Sequence, residues 1–203
     1  MEAEHCRRDN SEVEFSPGNY DTTTTPAEEW AVVTDADKGR EASKGERRVL
    51  PLDELMKHDV VVKAQLRMEE LIALQLYTGP MFCLYNAVLR GFPSSMVEQL
   101  QGNKYTTTIY CIVSGIIKLS KVMKLPKDRM VYRGLGGLEL PDTLLQPDEF
   151  GIRGGVEFAM MSTTLDRRVA IQYAGNTVPT IFEINLGAID RGASLVFLSQ
   201  YPG

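Results

Sequence analysis

The chain has 203 residues, of which 43% are hydrophobic and 24% are charged. This composition is typical of a soluble globular protein, and the length is enough for one domain with a hydrophobic core but not for two of average size. The net charge is -5, so the chain has no overall positive charge with which to bind the phosphates of a nucleic acid. The sequence therefore argues against a nucleic-acid-binding protein.

The cysteines and the N-terminal sequence bear on metal binding and on location. The three cysteines are widely spaced, form no Cys-x-x-Cys pair and are accompanied by only two histidines, so we expect no metal site. Cys83 and Cys111 lie in apolar stretches that favour reduced, buried thiols and a reducing compartment. The N-terminus has no apolar signal core, and the most apolar run, residues 109–117, is too short to span a membrane. These features predict a cytoplasmic protein without a membrane span.

The N-terminal region divides into a polar tail and the start of a folded domain. Residues 1–27 are polar and lack apolar periodicity, which predicts a disordered tail. Residues 30–34, Trp-Ala-Val-Val-Thr, are typical of a short β-strand. We therefore predict one folded domain over residues 28–203.

The middle of the chain shows helical periodicity, whereas the second half is rich in β-type segments. Helices are predicted over Leu52–His58, over Arg67–Tyr77, from Pro80 to Gly91 and over Thr106–Met123. Strands are predicted over Met130–Arg133, Val156–Ser162, Thr180–Ile184 and Leu195–Leu198, with one intervening helix over Leu165–Ala174 that Thr164 would cap. This order predicts an α+β domain.

A strand-end arginine followed by glycines is the first candidate functional motif. In Tyr-Arg-Gly-Leu-Gly-Gly, residues 132–137, the Arg133 guanidinium and bare backbone amides suit a phosphate or carboxamide ligand. On its own the motif is more typical of a structural arginine before a loop. It is not the dinucleotide fingerprint Gly-x-Gly-x-x-Gly, because no suitable helix follows the glycines.

Three consecutive hydroxyl residues form the second candidate motif. Ser162, Thr163 and Thr164 follow an apolar segment that includes Phe158. One hydroxyl could face a ligand while another fixes a neighbouring strand or caps the next helix. Simple capping is the alternative for the triplet considered alone.

Together these motifs resemble the NAD-dependent arginine ADP-ribosyltransferases. The arginine and the serine are 29 residues apart (162 − 133), and a later Ser-x-x-Pro turn, residues 199–202, also matches the family pattern. The resemblance covers roughly residues 28–203. It implies a helical N-terminal half packed on a mixed β-sheet core of the ADP-ribosyltransferase type.

The resemblance assigns each matched residue a role. Arg133 would contact a phosphate or the nicotinamide ribose of NAD, and the Gly134 backbone would hold the carboxamide. Ser162 would hydrogen-bond the ribose, with Thr163 and Thr164 supporting the strand geometry. Phe158 would be an aromatic neighbour of the nicotinamide.

The family's catalytic glutamate follows the Ser-x-x-Pro turn in a Gln/Glu-x-Glu motif. The sequence ends at Gly203, so we expect the glutamate and the final strands to be missing from a truncated product. The carboxylate stabilises the cationic ribose of the transition state, and its loss should be severe. Glu139, Glu157 and Glu183 do not follow that turn, and Glu183 is better explained as a surface or paired residue.

Two functional hypotheses follow from the resemblance. The first is transfer of ADP-ribose from NAD to a protein arginine, with release of nicotinamide, by a monomer that requires neither metal, nucleic acid nor membrane. The sequence leaves NAD and NADP undistinguished. The second hypothesis is a catalytically silent module that binds NAD or a protein partner, and a purely structural domain is a third possibility.

Overall fold

A computed structural model describes residues 24–35, 47–100, 102–123, 130–137, 140, 142–186 and 192–201. These residues divide into two compact units. The helical unit contains the described residues up to 123 together with 192–201, and the strand-containing unit contains those from 130 to 186. Most of the predicted tail lies outside the described residues, and the single domain over residues 28–203 stays a prediction.

The helical unit consists of seven α-helices and one 3-10 turn within its described part. The helices are α1 Pro26–Val33, α2 Leu52–Leu55, α3 Asp59–Ala64, α4 Met68–Thr78, α5 Phe82–Arg90, α6 Ser94–Gln99 and α7 Thr106–Val122, and the 3-10 turn is Val196–Leu198. The helices predicted over the middle of the chain are confirmed within a few residues. The strand predicted over Leu195–Leu198 is wrong, because this short apolar run forms a turn that buries Leu198 instead.

Helix α1 replaces the strand predicted over residues 30–34. Thr25 accepts a hydrogen bond from the Glu28 N–H, and the Glu28 carboxylate accepts one from the Thr25 N–H at 2.7 Å. This capping box, with Pro26 at the first helical position, starts a helix before the apolar residues begin. The boundary predicted after residue 27 is therefore also wrong, since α1 begins at Pro26 and Thr24 is already buried.

The core of the helical unit is centred on α4. Residues 71–77 of this helix are all buried, which explains why its apolar residues are not confined to one face. Helix α7 packs against α4 at Gly115, where a Cβ atom would lie 2.8 Å from the side chain of Leu74. Among the described residues, no single helix has the length and apolar character needed to cross a membrane, although α4 and α5, bent by 92°, meet those criteria as a pair.

The cysteines differ from expectation. Cys111 is buried and free, as predicted. Cys83 is disulfide-bonded, so the prediction of a reduced thiol there is wrong. An apolar sequence context identifies burial but carries no information about a bonding partner distant in the chain. The cysteines therefore no longer support a reducing compartment.

The strand-containing unit is built on an antiparallel pair of strands. Strand β1, Met130–Leu135, pairs with β2, Thr180–Asn185, and the unit also contains α8, Asp142–Leu145, and α9, Arg167–Ala174. The chain thus combines helices with a sheet, as an α+β fold requires, while a mixed sheet of the transferase type and missing strands stay predictions. The helix predicted from Leu165 begins at Arg167, and its cap is the Asp166 side chain rather than Thr164.

No strand forms over Val156–Ser162, where one was predicted. The segment is irregular, and the side chains of Val156 and Phe158 are 77% and 73% exposed. β-Branched and aromatic residues favour a strand, but a strand is stable only when neighbouring strands complete its hydrogen bonds and one face is buried. Neither condition is met in the described part of this segment.

Candidate functional site

The two sequence motifs meet at β1. On one edge β1 pairs with β2, so that Arg133 lies opposite Phe182 and Gly134 lies opposite Ile181. On its other edge Tyr132 forms an isolated antiparallel bridge with Thr164, through hydrogen bonds of 2.8 and 2.9 Å between their backbones. Strand β1 therefore carries the arginine and holds the end of the hydroxyl triplet beside it.

Arg133 reaches directly to the triplet. Its guanidinium Nη1 donates a hydrogen bond to the backbone carbonyl of Ser162 at 2.9 Å. Arg133 is half-buried, and the side chains of Ser162 and Thr163 are exposed. The structure thus brings together the two residues that the sequence placed 29 positions apart. A guanidinium is a planar group with five N–H donors, a geometry that suits a phosphate.

The threonines shape the turn into α9. Thr164 Oγ1 accepts a hydrogen bond from the Asp166 N–H at 3.1 Å, and the Asp166 carboxylate accepts one from the Arg168 N–H at 2.9 Å. The Arg168 side chain also lies on Asp166 and holds the pKa of that carboxyl group below its usual value. The Thr164 hydroxyl thus supports the turn that leads to the Asp166 cap, and the supporting role that the resemblance gives to Thr163 and Thr164 stays a prediction.

Gly134 has a packing role that the sequence did not reveal. A Cβ atom at Gly134 would lie 1.8 Å from the carbonyl oxygen of Ala170 and 2.7 Å from the backbone nitrogen of Ala174. Helix α9 therefore crosses β1 with its backbone against the strand, and buried Ala170 and Ala174 permit this approach. Gly136 is similarly close to the Ala174 carbonyl oxygen, at 2.7 Å. Gly134 in β1 and Gly136 just after it, together with alanines spaced by four in α9, were the available signal.

The close approach at Gly134 also fixes the direction of Arg133. Side chains alternate between the two faces of a strand, so Gly134 and Tyr132 face α9 whereas Arg133 and Leu135 face away from it. Phe182 shares the face of Arg133, since residues directly opposite in an antiparallel pair point the same way. The guanidinium thus lies on the sheet face that α9 does not cover.

Phe158, the remaining predicted site residue, makes no ring contact with the other site residues among those that the structure describes. Phe158 lies on the irregular segment with its side chain 73% exposed. Its role beside nicotinamide stays a prediction. Among the residues that the structure describes, no group of three or more His, Cys, Asp or Glu side chains could hold a metal ion.

Glu139, Glu157 and Glu183 are the carboxylates that could take the place of the catalytic glutamate. Glu183 on β2 forms an ion pair with Arg167 on α9, with 3.1 Å between Nε and Oε1. Glu157 accepts a hydrogen bond from the Ala159 N–H at 2.9 Å, and Glu139 lies outside the described residues. Glu183 is thus a paired surface residue, as the sequence indicated.

We expect Glu183→Gln to have little effect on either stability or any NAD-dependent activity. An exposed ion pair contributes about 0 to 1 kcal/mol, and Glu183 faces α9 together with Tyr132, its partner across the sheet. Thermal denaturation and an NAD-cleavage assay of the variant check this. A loss of cleavage at unchanged thermal stability would instead identify Glu183 as an acid that acts in the reaction.

Comparison with known proteins gives one match. A family model described as NAD:arginine ADP-ribosyltransferase matches residues 9–189, which is most of the chain and includes both motifs. Neither the curated proteins nor the solved structures provided a match.

Proposed function

Because the chain belongs to the NAD:arginine ADP-ribosyltransferase family, we propose that it transfers ADP-ribose from NAD to arginine side chains of proteins and releases nicotinamide. The observation that carries this proposal is the contact between Arg133 and Ser162 at β1. It joins the two family motifs in one place, on the sheet face that α9 leaves uncovered.

The reaction is a displacement at the ribose carbon that carries nicotinamide. The bond from this carbon to the nicotinamide nitrogen breaks, and its electron pair leaves with nicotinamide. A nitrogen of the acceptor guanidinium forms the new bond and loses a proton. Positive charge develops on the ribose after the bond to nicotinamide begins to break and before the new bond is complete. Groups that fix the ribose and the phosphates therefore lower the barrier.

The residues of this chain fit the binding part of that reaction. A guanidinium suits a phosphate or a ribose hydroxyl, and the exposed Ser162 hydroxyl lies on the same segment that Arg133 holds. We assign the Gly134 backbone to the carboxamide and Phe158 to the nicotinamide ring by resemblance to the family. Thr163 and Thr164 complete the set as supports of the Ser162 segment.

We expect Arg133→Ala to weaken NAD binding by roughly 10- to 100-fold, because a hydrogen bond from a charged donor contributes about 1.5 to 3 kcal/mol. The affinity of Arg133→Lys for NAD should lie between those of the wild type and Arg133→Ala, since lysine keeps the charge but lacks the planar guanidinium with its paired N–H donors. Isothermal titration with NAD measures both. Arg153→Ala is the matched control, because Arg153 is an exposed arginine of the same unit that makes no contact with the motifs.

Transfer is measured separately from binding. Labelled NAD and a small guanidine acceptor are supplied to the 203-residue chain and to a version extended by Glu-x-Glu and a closing strand. Transfer that requires Arg133 supports the enzyme. If both versions bind NAD without transfer, the silent binding module is favoured. If neither version binds NAD, both the transferase and the silent NAD-binding module are excluded.

A further inference from the structure

A fully buried carboxylate holds helix α1 in the helical unit. Glu29 has no exposed surface. It is one of only three buried residues of α1, the others being Pro26 and Val33 at the two ends of the helix. A carboxylate therefore occupies the centre of the surface through which this helix docks, where an apolar residue would be usual.

Three hydroxyl groups from three parts of the unit converge on Glu29. Tyr85 on α5 and Thr108 on α7 each donate a hydrogen bond of 2.6 Å, and Thr24 donates one of 2.8 Å. Asn103 fixes Thr24 by donating to its Oγ1 at 3.1 Å. The docking of α1 thus depends on the polar contacts of one side chain.

No cation forms an ion pair with Glu29 among the described residues. Elsewhere in the unit, Lys118 on α7 forms an ion pair with Glu70 on α4, at 2.7 Å. Burial alone would raise the pKa of Glu70, but hydrogen bonds from the Arg67 N–H, Lys118 and Ser114 hold it below its usual value. Glu29 receives hydrogen bonds from hydroxyl groups but has no such ammonium partner among the described residues.

The titratable groups that act on Glu29 within the described part of the chain are Glu28, which precedes it on α1, and Tyr85 on α5. Cys111 on α7 is influenced by Glu29 and by Glu69 and Glu70 of α4, and none of these groups is a cation. Burial raises the pKa of Glu29 to about 7, although the hydroxyls of Thr108, Tyr85 and Thr24 oppose the rise. Burial likewise raises the pKa of Cys111, so this thiol stays neutral beside it at neutral pH.

We propose that Glu29 makes the docking of α1 pH-sensitive, so that the helix is held most firmly when the carboxyl group is protonated and is loosened when that group ionises. Hydroxyl groups can both donate and accept, so one of the three can turn to accept the carboxyl proton. Ionisation leaves a buried charge without a counter-ion, which undocking would return to water.

The sign of the effect follows from the raised pKa. Below the ordinary carboxyl value of 4.5, Glu29 is protonated in both the docked and the undocked helix, and docking is strongest. As the pH rises from there to about 7, only the undocked form loses its proton, so the docking equilibrium constant falls by up to tenfold per pH unit. Above about 7 both forms are ionised and the constant levels off.

Backbone amide exchange over α1 measures this equilibrium in the full chain. We expect the protection factors of residues 29–33, corrected for the intrinsic exchange rate, to fall roughly 40-fold between pH 5 and 7 if a single proton is involved, since the pKa is 4.5 in the undocked form and about 7 in the docked form. Trp30 is the only tryptophan of the chain and lies on α1, so its fluorescence reports the same event independently.

Glu29→Gln removes the titration and should make both readouts independent of pH over this range. Glu98→Gln is the control, because Glu98 is an exposed carboxylate on α6 of the same unit and should keep the wild-type slope. Tyr85→Phe removes one of the hydroxyls that lower the pKa of Glu29, so the pH at which α1 loses protection should rise. This variant tests the proposal even if Glu29→Gln does not fold. The proposal is overturned if the protection factors of α1 in the wild-type chain stay constant or rise with pH. It is also overturned if they fall with pH in Glu29→Gln as steeply as in the wild type.

Discussion

Replacing Gly134 with alanine is expected to unfold or severely destabilise the strand-containing unit. The added methyl group would lie 1.8 Å from the Ala170 carbonyl oxygen and 2.7 Å from the Ala174 nitrogen. Both are backbone atoms of α9, so no flexible side chain can move aside and the helix must shift from β1. Overpacking of well-packed sites costs about 1 to 3 kcal/mol and occasionally more, and a backbone clash of this depth places Gly134→Ala at or above the upper end.

Thermal and urea denaturation of Gly134→Ala test this prediction, with Gly155→Ala as the control. Gly155 lies in the same unit, and a Cβ atom there meets nothing within 4 Å. It should therefore change stability by no more than about 0.5 kcal/mol. If both variants denature like the wild type, α9 does not pack on β1 as closely as the structure shows.

The same experiment distinguishes packing from ligand binding at Gly134. The family resemblance assigns the Gly134 backbone to the nicotinamide carboxamide, and that backbone amide is still present in alanine. If Gly134→Ala keeps its stability but loses NAD binding, close ligand approach is the reason for glycine. If stability is lost first, the glycine is required by the helix.

Elements with regular periodicity could be predicted from the sequence, and those fixed by single contacts could not. Helices α5 and α7 have apolar patterns that bury one face, α4 is apolar and buried along residues 71–77, and β1 and β2 are rich in β-branched and aromatic residues. In these elements the local sequence and the structure agree. Helix α1 was missed because its Ala-Val-Val run favours a strand, whereas the Thr25–Glu28 capping box starts a helix. The capping box was present in the sequence and was the stronger signal.

The candidate site shows the same division. The resemblance paired Arg133 with Ser162, and the structure places the Arg133 guanidinium on the Ser162 carbonyl oxygen. The role of Gly134 depends on a helix that begins 33 residues later (167 − 134), so no local pattern reveals it. The disulfide at Cys83 likewise depends on a distant part of the chain.

Replacing Gln200 with alanine should release the C-terminal segment of the helical unit. Gln200 is fully buried, and its Oε1 accepts a hydrogen bond from Arg47 Nε at 2.6 Å while its Nε2 donates to the Gln75 carbonyl. Its backbone accepts from the Arg48 N–H at 2.6 Å and donates to Thr78 Oγ1 at 3.3 Å. Loss of the side chain removes the acceptor of a buried guanidinium, which costs about 1.5 to 3 kcal/mol before any cavity is counted.

Limited proteolysis of residues 192–201 and chemical denaturation measure this effect. Val196→Ala in the same segment is the control, since that side chain is 79% exposed and its loss should change stability by no more than about 0.5 kcal/mol. Equal protease resistance in Gln200→Ala and Val196→Ala would show that packing of Leu198, and not the buried amide, holds the segment.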